Sequence, residues 1–256
     1  MASSLPILTF HALDEQSSII SFSPELFRRG MAKLYKKGYR TLSLLEVTDC
    51  LHQRKPFAER SFVITFDDGY QTVYEKAFPV LQDYGMTATI FLTVGEMGGV
   101  KHGDRLPSLE GRSMLNWREI KEMKQGGIEF GAHTLTHPDL TCLPLDRIKT
   151  EICDSKTIIE NALNTPVSYF AAPYSRYDDR SLEIIRQHFA CACSDRLGLT
   201  HLGSDLYALE RVDAYYLRTE RLFDIMLTPL FPLYIRARSI PRRIRRSIQI
   251  IPGGRR

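Results

Sequence analysis

The sequence predicts an α/β fold of parallel βα units closed into a barrel, with a doubly wound open sheet as the alternative. Three observations support this prediction. A chain of 256 residues is long for one average domain and short for two. Short apolar runs alternate with segments of helical spacing. Several of the runs are almost continuously apolar, as strands covered on both faces must be.

The strands are expected in eight runs rich in β-branched and aromatic residues. In chain order they are PILTFHAL near 6–13, YRTLSL at 39–44, SFVITF at 61–66, TATIFL at 87–92, GIEFGAH at 127–133, VSYFAA at 167–172, FACAC at 189–193 and ALERVDAYY at 208–216.

The intervening segments are expected to be helices. Residues 23–38 begin with a Ser-Pro cap signal, carry apolar residues at helical spacing and end at Gly38. Residues 73–85 and 146–163 show similar patterns. No internal repeat or low-complexity linker precedes the Arg-rich end. We therefore expect one domain over residues 1–225 and a C-terminal tail, first apolar and then basic, over residues 226–256.

The charge is distributed unevenly along the chain. The net charge is +4, yet residues 235–256 hold eight Arg and no acid, so residues 1–234 carry 26 Lys+Arg against 30 Asp+Glu. This mildly acidic body argues against a nucleic-acid binder. Without interleaved aromatic residues, the basic tail offers nucleic acid only a salt-sensitive, non-specific attraction.

Targeting signals are not recognisable in the sequence. The N-terminus lacks the basic and apolar regions of a signal peptide. The apolar segment 226–235 is half the ~20 residues that a spanning helix needs and is broken by Pro229 and Pro232. We expect no transmembrane helix and a cytoplasmic protein that can lie at the membrane periphery.

The tail has the pattern of a short amphipathic basic helix. Ile244, Ile248 and Ile251 recur at helical spacing among Arg residues. It is expected to contact an anionic membrane, and a disordered tail is the alternative.

Polar side chains stand at the ends of three predicted strands. Asp67 and Asp68 follow SFVITF, His133 and His137 follow GIEFGA, and His11 ends the first run. Since the carboxyl ends of parallel strands meet at one edge of the sheet, these groups are expected to converge. Pro138 disfavours a helix at His137, so the two imidazoles should meet through a turn.

Two imidazoles and a carboxylate suit a divalent metal ion with positions open for water and substrate. Asp-Asp-Gly alone is typical of a turn, but its combination with the histidines at strand ends indicates a hydrolytic site. If Asp68 binds the metal, the neighbouring Asp67 can act as the base that deprotonates water.

The motifs TFDDGY at 65–70 and HTLTHP at 133–138 resemble the first two motifs of the polysaccharide deacetylases, the NodB homology domain of carbohydrate esterase family 4. The similarity extends over most of residues 7–216. It implies a distorted (β/α)7 barrel and one divalent metal ion, usually zinc. It also implies that Asp68, His133 and His137 are the ligands and Asp67 the general base.

Two departures from the family pattern need replacements. The third motif commonly reads Arg-x-Pro-Tyr, but Ala171 stands at the Arg position. Arg211, in a late strand, is our candidate to orient the base, and a surface or ion-paired Arg is the alternative. Tyr174 still matches, and the resemblance implies that its backbone N–H helps hold the oxyanion. The late Leu-x-His motif is absent, and LTFHAL resembles a biofilm-type subgroup in which His11 would be the general acid.

The expected function is metal-dependent removal of N-acetyl groups from amino sugars of a polysaccharide or its lipid-linked precursor. One alternative is hydrolysis of a small amide, as in relatives of purine catabolism. Another is a catalytically silent relative that binds glycan. The segment GEMGG at 95–99 is interpreted as flexible and at the rim of the substrate site.

Overall fold

The computed structural model describes residues 2–95 and 105–249. Its strands, in chain order, are β1 (Ser4–Leu5), β2 (Ile7–Phe10), β3 (Ala12–Leu13), β4 (Ser21–Phe22), β5 (Arg40–Thr41), β6 (Ser61–Phe66), β7 (Thr89–Leu92), β8 (Glu129–Ala132), β9 (Tyr169–Ala171), β10 (Cys191–Leu197), β11 (Thr200–His201) and β12 (Leu209–Asp213).

The α-helices surround these strands. They are α1 (Pro24–Lys36), α2 (Leu44–His52), α3 (Phe78–Asp83), α4 (Trp117–Gln125), α5 (Leu145–Lys149), α6 (Ser155–Leu163), α7 (Asp179–His188), α8 (Glu220–Asp224) and α9 (Phe231–Gln249). Two π-helical segments, Val73–Ala77 and Thr150–Asp154, lead into α3 and α6.

Seven parallel strands close into a barrel in the order β2-β12-β10-β9-β8-β7-β6, and β6 pairs back with β2. The closing register aligns Ile7 with Val63 and Phe10 with Phe66. Strand β5 pairs with the start of β6. The predicted (β/α)7-type barrel is therefore confirmed, and the open-sheet alternative is wrong.

Each of the eight predicted runs contains a strand, but several elements differ from the sequence pattern. The strand expected at 39–44 is reduced to β5, and the predicted helix at 73–85 begins with a π-helical turn ahead of Pro79. The two-residue strands β1, β4 and β11 were not predicted, and the run predicted at 6–13 is divided into β2 and the two-residue β3. The pairing of β1 with β11 and of β3 with β4 depends on tertiary contacts rather than on an apolar pattern.

The period of two along each strand determines what faces the inside of the barrel. Ile7 and Val63, two positions before Thr9 and Thr65, belong to a buried apolar cluster that α2 covers from one end. The Thr9 and Thr65 hydroxyls then lie 3.1 Å apart. The next inward position on each strand lies at the opposite end of the barrel, where the polar residues gather.

The C-terminal helix α9 packs against the barrel with one side. Phe231 and Ile235 are buried in the main core cluster. The tail is helical as far as Gln249, and the predicted pattern at Ile251 falls outside the described residues. Within residues 2–95 and 105–249, no helix has both the length and the apolarity that crossing a bilayer requires.

Candidate active site

Two strand ends supply the acidic and imidazole groups. Asp67 and Asp68 follow β6 directly, and the Asp67 N–H donates to the Phe10 carbonyl at 2.9 Å. The chain then turns at Gly69, whose φ of 90° favours glycine. His133 follows β8 and His137 lies in the next turn rather than on a helix, as predicted from Pro138.

The structure brings Asp68, His133 and His137 together. Asp68 Oδ1 lies 3.3 Å from Nε2 of His133 and 3.3 Å from Nε2 of His137. One ligand atom from each residue falls within 4.8 Å of the others, the geometry of a set that could hold one metal ion. These are the three residues for which the sequence suggested metal ligation.

The hydrogen bonds of the imidazoles test whether a cation fits. His133 Nδ1 lies 2.7 Å from the Ala171 carbonyl, which can only accept, so this nitrogen carries a proton. In the neutral imidazole Nε2 then bears a lone pair facing Asp68 Oδ1, a buried oxygen without a hydrogen-bond partner. Two lone pairs that face one another repel unless a cation lies between them. These ligand atoms therefore fit a divalent metal ion.

The electrostatics of the cluster point the same way. Burial raises the pKa of the Asp68 carboxyl, but interactions with His133 and His137 outweigh burial and hold this pKa well below its usual range. Burial lowers the pKa of His133, and the Asp67 and Asp68 carboxylates outweigh this effect and raise it. A cluster that stabilises positive charge on its ligands suits a metal cation.

Arg211 lies against Asp67 in the barrel interior. Its two terminal nitrogens donate to the two carboxylate oxygens at 2.8 Å each, and its Nε donates to the Ser194 carbonyl at 2.8 Å. Burial raises the pKa of Asp67, but the guanidinium outweighs burial and lowers it. The geometry places Arg211 where an orienting residue would stand. The side chain is buried and ion-paired with Asp67, so Arg211 is not a surface residue, and its role in orienting the base stays a prediction.

His11 lies at the same end of the barrel. Its Nε2 is 3.9 Å from Asp67 Oδ2, and the imidazole is partly exposed. It lines a cleft of about 660 Å³ together with Asp67, Asp68, His133 and His137. The imidazole can therefore reach both a molecule bound in the cleft and the Asp67 carboxylate. Its role as the general acid stays a prediction.

Tyr174 is at the mouth of this cleft, in the turn after β9. Its exposed phenol oxygen lies 3.2 Å from His137 Nδ1, and the two rings meet edge to face with centroids 4.8 Å apart. Its backbone has a φ of 55°. Asp68, Thr134 and His137 also have positive φ. This backbone conformation is strained for residues other than glycine, and such strain is concentrated at functional sites.

Glu151 holds the loop that carries His137, a contact that the sequence did not predict. The carboxylate is buried in the π-helical segment and accepts hydrogen bonds from the N–H groups of Leu135 and Thr136 at 2.9 Å each, and from the Thr136 hydroxyl at 2.7 Å. The sequence gives no signal for this role, since Glu151 sits within an ordinary amphipathic pattern.

Two further acids line the cleft. Asp195 and Asp213 lie two positions after Cys193 and Arg211, on the inward faces of β10 and β12. The period-two rule that leads from Thr65 to Asp67 would have identified both. The segment 95–99, predicted at the rim, lies outside the described residues except for Gly95.

The family described as "Polysaccharide deacetylase" matches residues 54–189. YxkH of Bacillus subtilis, whose name places it among the polysaccharide deacetylases, is 33% identical over 209 residues, which are 81% of this chain and 70% of YxkH.

A solved structure shares the architecture. The Streptococcus pyogenes deacetylase PplD in complex with acetate superposes with a TM-score of 0.73 at 30% identity, covering 83% of this chain and 93% of PplD. The poly-beta-1,6-N-acetyl-D-glucosamine N-deacetylase of Staphylococcus aureus (strain N315) is 29% identical over 157 residues, which are 56% of this chain. The match spans about half of that relative, 51% of its length.

Proposed function

Because the chain belongs to the polysaccharide deacetylase family, we propose that it is a metal-dependent hydrolase that removes N-acetyl groups from amino sugars of a polysaccharide or its lipid-linked precursor. The observation that carries the proposal is the cluster of Asp68, His133 and His137 beside the ion-paired Asp67 at one end of the barrel.

Asp68, His133 and His137 would hold one divalent metal ion, and zinc suits a set of one carboxylate and two imidazoles. When bound, the ion supplies Lewis-acid polarisation of the acetyl carbonyl and lowers the pKa of water. Three protein ligands leave positions open for substrate and water, as in catalytic rather than structural sites.

Asp67 is proposed to take a proton from the attacking water. A new C–O bond then forms at the acetyl carbon, and the carbonyl oxygen gains negative charge. Arg211 binds both oxygens of Asp67, which keeps the carboxylate ionised and fixes its direction. The backbone N–H of Tyr174 is proposed to stabilise the oxyanion, where a well-placed donor acts on the transition state.

The second half of the reaction breaks the C–N bond and releases acetate and an amine. The leaving nitrogen needs a proton, since an amide anion is too basic to leave. His11 lines the cleft at 3.9 Å from Asp67 and is proposed to donate that proton. Water thus supplies one oxygen of acetate, the carbonyl supplies the other, and no other co-reactant is needed.

An amino-sugar polymer suits the cleft. It is an open space of about 660 Å³ whose lining includes the rings of Tyr174, Tyr215 and Tyr216. Such rings pair an apolar face with a polar edge, as pyranose rings do. The similarity to the S. aureus relative supports β-1,6-linked N-acetylglucosamine as the first substrate to try.

Acetate release from β-1,6-linked N-acetylglucosamine oligomers tests the proposal. The metal-loaded protein should release acetate, and the Asp67→Asn variant should bind the metal yet lose about 10²–10⁴-fold in rate. Hydrolysis of ureides without acetate release from any N-acetylated glycan would contradict the proposal in favour of the small-amide alternative. Glycan binding without turnover would contradict it in favour of a silent relative.

A further inference from the structure

Helix α9 exposes apolar residues on the side that faces away from the barrel. Leu233 and Ile240 are 65% and 53% exposed, and Leu230, just before the helix, is 64% exposed. By contrast, Phe231 and Ile235 are buried. The exposed residues are therefore not part of the core that holds the helix in place.

The spacing joins the exposed residues into one stripe. Leu233, Ala237 and Ile240 are separated by four and three positions, so they lie on one face of a helix with 3.6 residues per turn. Leu233 lies two positions after Phe231, about 200° around the axis and so nearly opposite the buried face. We call Leu230, Leu233, Ala237 and Ile240 the α9 stripe.

The charge of the helix is complementary to an anionic partner. Residues 231–249 contain six Arg and neither Lys nor acid, whereas residues 1–234 have an excess of four acids. Arg236 and Arg238 are exposed on the same two turns as the stripe. A partner must therefore offer negative charge and an apolar layer together.

We propose that α9 binds the surface of a membrane that contains anionic lipids. The helix would lie in the interface with the α9 stripe among the acyl chains and the Arg side chains against lipid phosphates. Nucleic acid offers the charge without the apolar layer, and a second copy of this chain that paired α9 with α9 would bring like charge against like charge. The tail prediction rested on Ile244, Ile248 and Ile251, whereas the exposed residues that carry the proposal lie earlier in the chain, from Leu230 to Ile240.

Helix α9 lies next to a residue of the proposed substrate cleft. The Tyr234 hydroxyl donates to the Tyr216 carbonyl at 2.7 Å, and the Arg238 guanidinium lies 5.1 Å from the centroid of the Tyr216 ring. Tyr216 lines the cleft. Membrane binding through α9 would therefore hold the cleft close to the lipid surface.

Co-sedimentation of the full chain with vesicles tests the proposal. Vesicles of phosphatidylcholine with phosphatidylglycerol should pellet the protein, whereas phosphatidylcholine alone should not. Raising the salt to about 0.5 M should weaken the binding about tenfold or more, because the lipid charge is then screened. The Leu233→Ser/Ile240→Ser variant should lose most of the binding at low salt.

The matched control is the Leu45→Ser/Leu145→Ser variant, which removes two exposed leucines from α2 and α5. It should bind vesicles like the unaltered protein. Equal binding of all variants would overturn the proposal, as would absence of vesicle binding. Salt-sensitive binding to double-stranded DNA in preference to anionic vesicles, or a dimer in sedimentation velocity that the Leu233/Ile240 variant abolishes, would overturn it too.

Discussion

Arg211 and Asp67 form a buried, two-pronged ion pair, and this pair determines the charge of the proposed base. Burial raises the pKa of Asp67 and the guanidinium lowers it. In Arg211→Met burial is opposed less strongly, so the pKa of Asp67 rises and the carboxyl stays protonated to a higher pH. The acidic limb of the pH–rate profile should then move to higher pH.

Arg211→Lys keeps the positive charge and should move the acidic limb less than Arg211→Met does. A matched control is Arg112→Met, which removes another buried, ion-paired Arg that contacts Asp14 rather than Asp67. This control should leave the position of the limb unchanged. An acidic limb that stays in place in Arg211→Met would contradict the role of Arg211.

His11 is predicted to act as an acid, and an acid must hold its proton in order to donate it. His11→Gln should lower the rate and flatten the alkaline limb of the profile, with the metal content unchanged. His201→Gln, which replaces an exposed imidazole in β11, serves as the control and should have no effect. An unaltered alkaline limb in His11→Gln would assign the acid elsewhere.

The residues at strand ends could be identified from the sequence, because an apolar run followed by acids or histidines fixes both place and chemistry. This holds for Asp68, His133 and His137, which the structure clusters. Glu151 could not be found in this way. Its function depends on how the helical segment Thr150–Asp154 packs on the following loop, and this is a tertiary property.

At the scale of elements, the loop between β8 and α5 is held by one carboxylate. Glu151→Gln leaves a single acceptor oxygen and removes the negative charge, so the hydrogen bonds that the Leu135 and Thr136 N–H groups donate lose their charge assistance. The loop then loosens around His137. We expect metal affinity to fall about 10–100-fold, the usual effect of losing a group that orients a ligand.

Metal titration of the folded protein measures this effect without recourse to turnover. Glu160→Gln is the matched control. The Glu160 carboxylate also accepts a hydrogen bond from a backbone N–H, that of Val167, which is not part of the loop that carries His137. Glu160→Gln should leave the metal affinity unchanged. Equal affinities in Glu151→Gln and the control would show that Glu151 has no part in positioning His137.

At the scale of elements, the positions of the main strands could be predicted from the sequence, but the lengths of the strands could not. Apolar runs locate β6 and β7 well, because these strands are covered on both faces. The two-residue strand β4 shows no such pattern, and the run at 6–13 does not reveal that its end, β3, pairs with β4. The pairing forms because the largely exposed chain between them returns and places Ser21 and Phe22 beside Ala12 and Leu13.

For the whole molecule, closure of the barrel depends on β2 pairing with β6, which no local pattern reveals. The family resemblance supplied the seven-stranded closure, whereas the alternation of runs alone left an open sheet as the alternative. The boundary at residues 225 and 226 stays a prediction. Phe231 and Ile235 lie after this boundary and are buried, so truncations that remove them should destabilise the fold.

Removing residues 242–256 should leave the melting temperature nearly unchanged, because Phe231, Ile235 and Ser239, the buried residues of α9 among positions 231–241, are retained. Removing residues 230–256 takes away Phe231 and Ile235 as well. Each fully buried side chain of this kind contributes about 1.5–3 kcal/mol to the free energy of unfolding. Denaturant unfolding should show a loss of several kcal/mol for the longer truncation only. Equal losses for the two truncations would contradict this packing account.

The central claim is that Asp68, His133 and His137 form one metal site on which the chemistry depends. Elemental analysis of the purified, metal-equilibrated protein tests it most directly, with each ligand replaced in turn as Asp68→Asn, His133→Ala and His137→Ala. The account predicts one divalent ion per unaltered chain and a loss of bound metal in each folded variant. Stoichiometric metal in any of the three variants would contradict it.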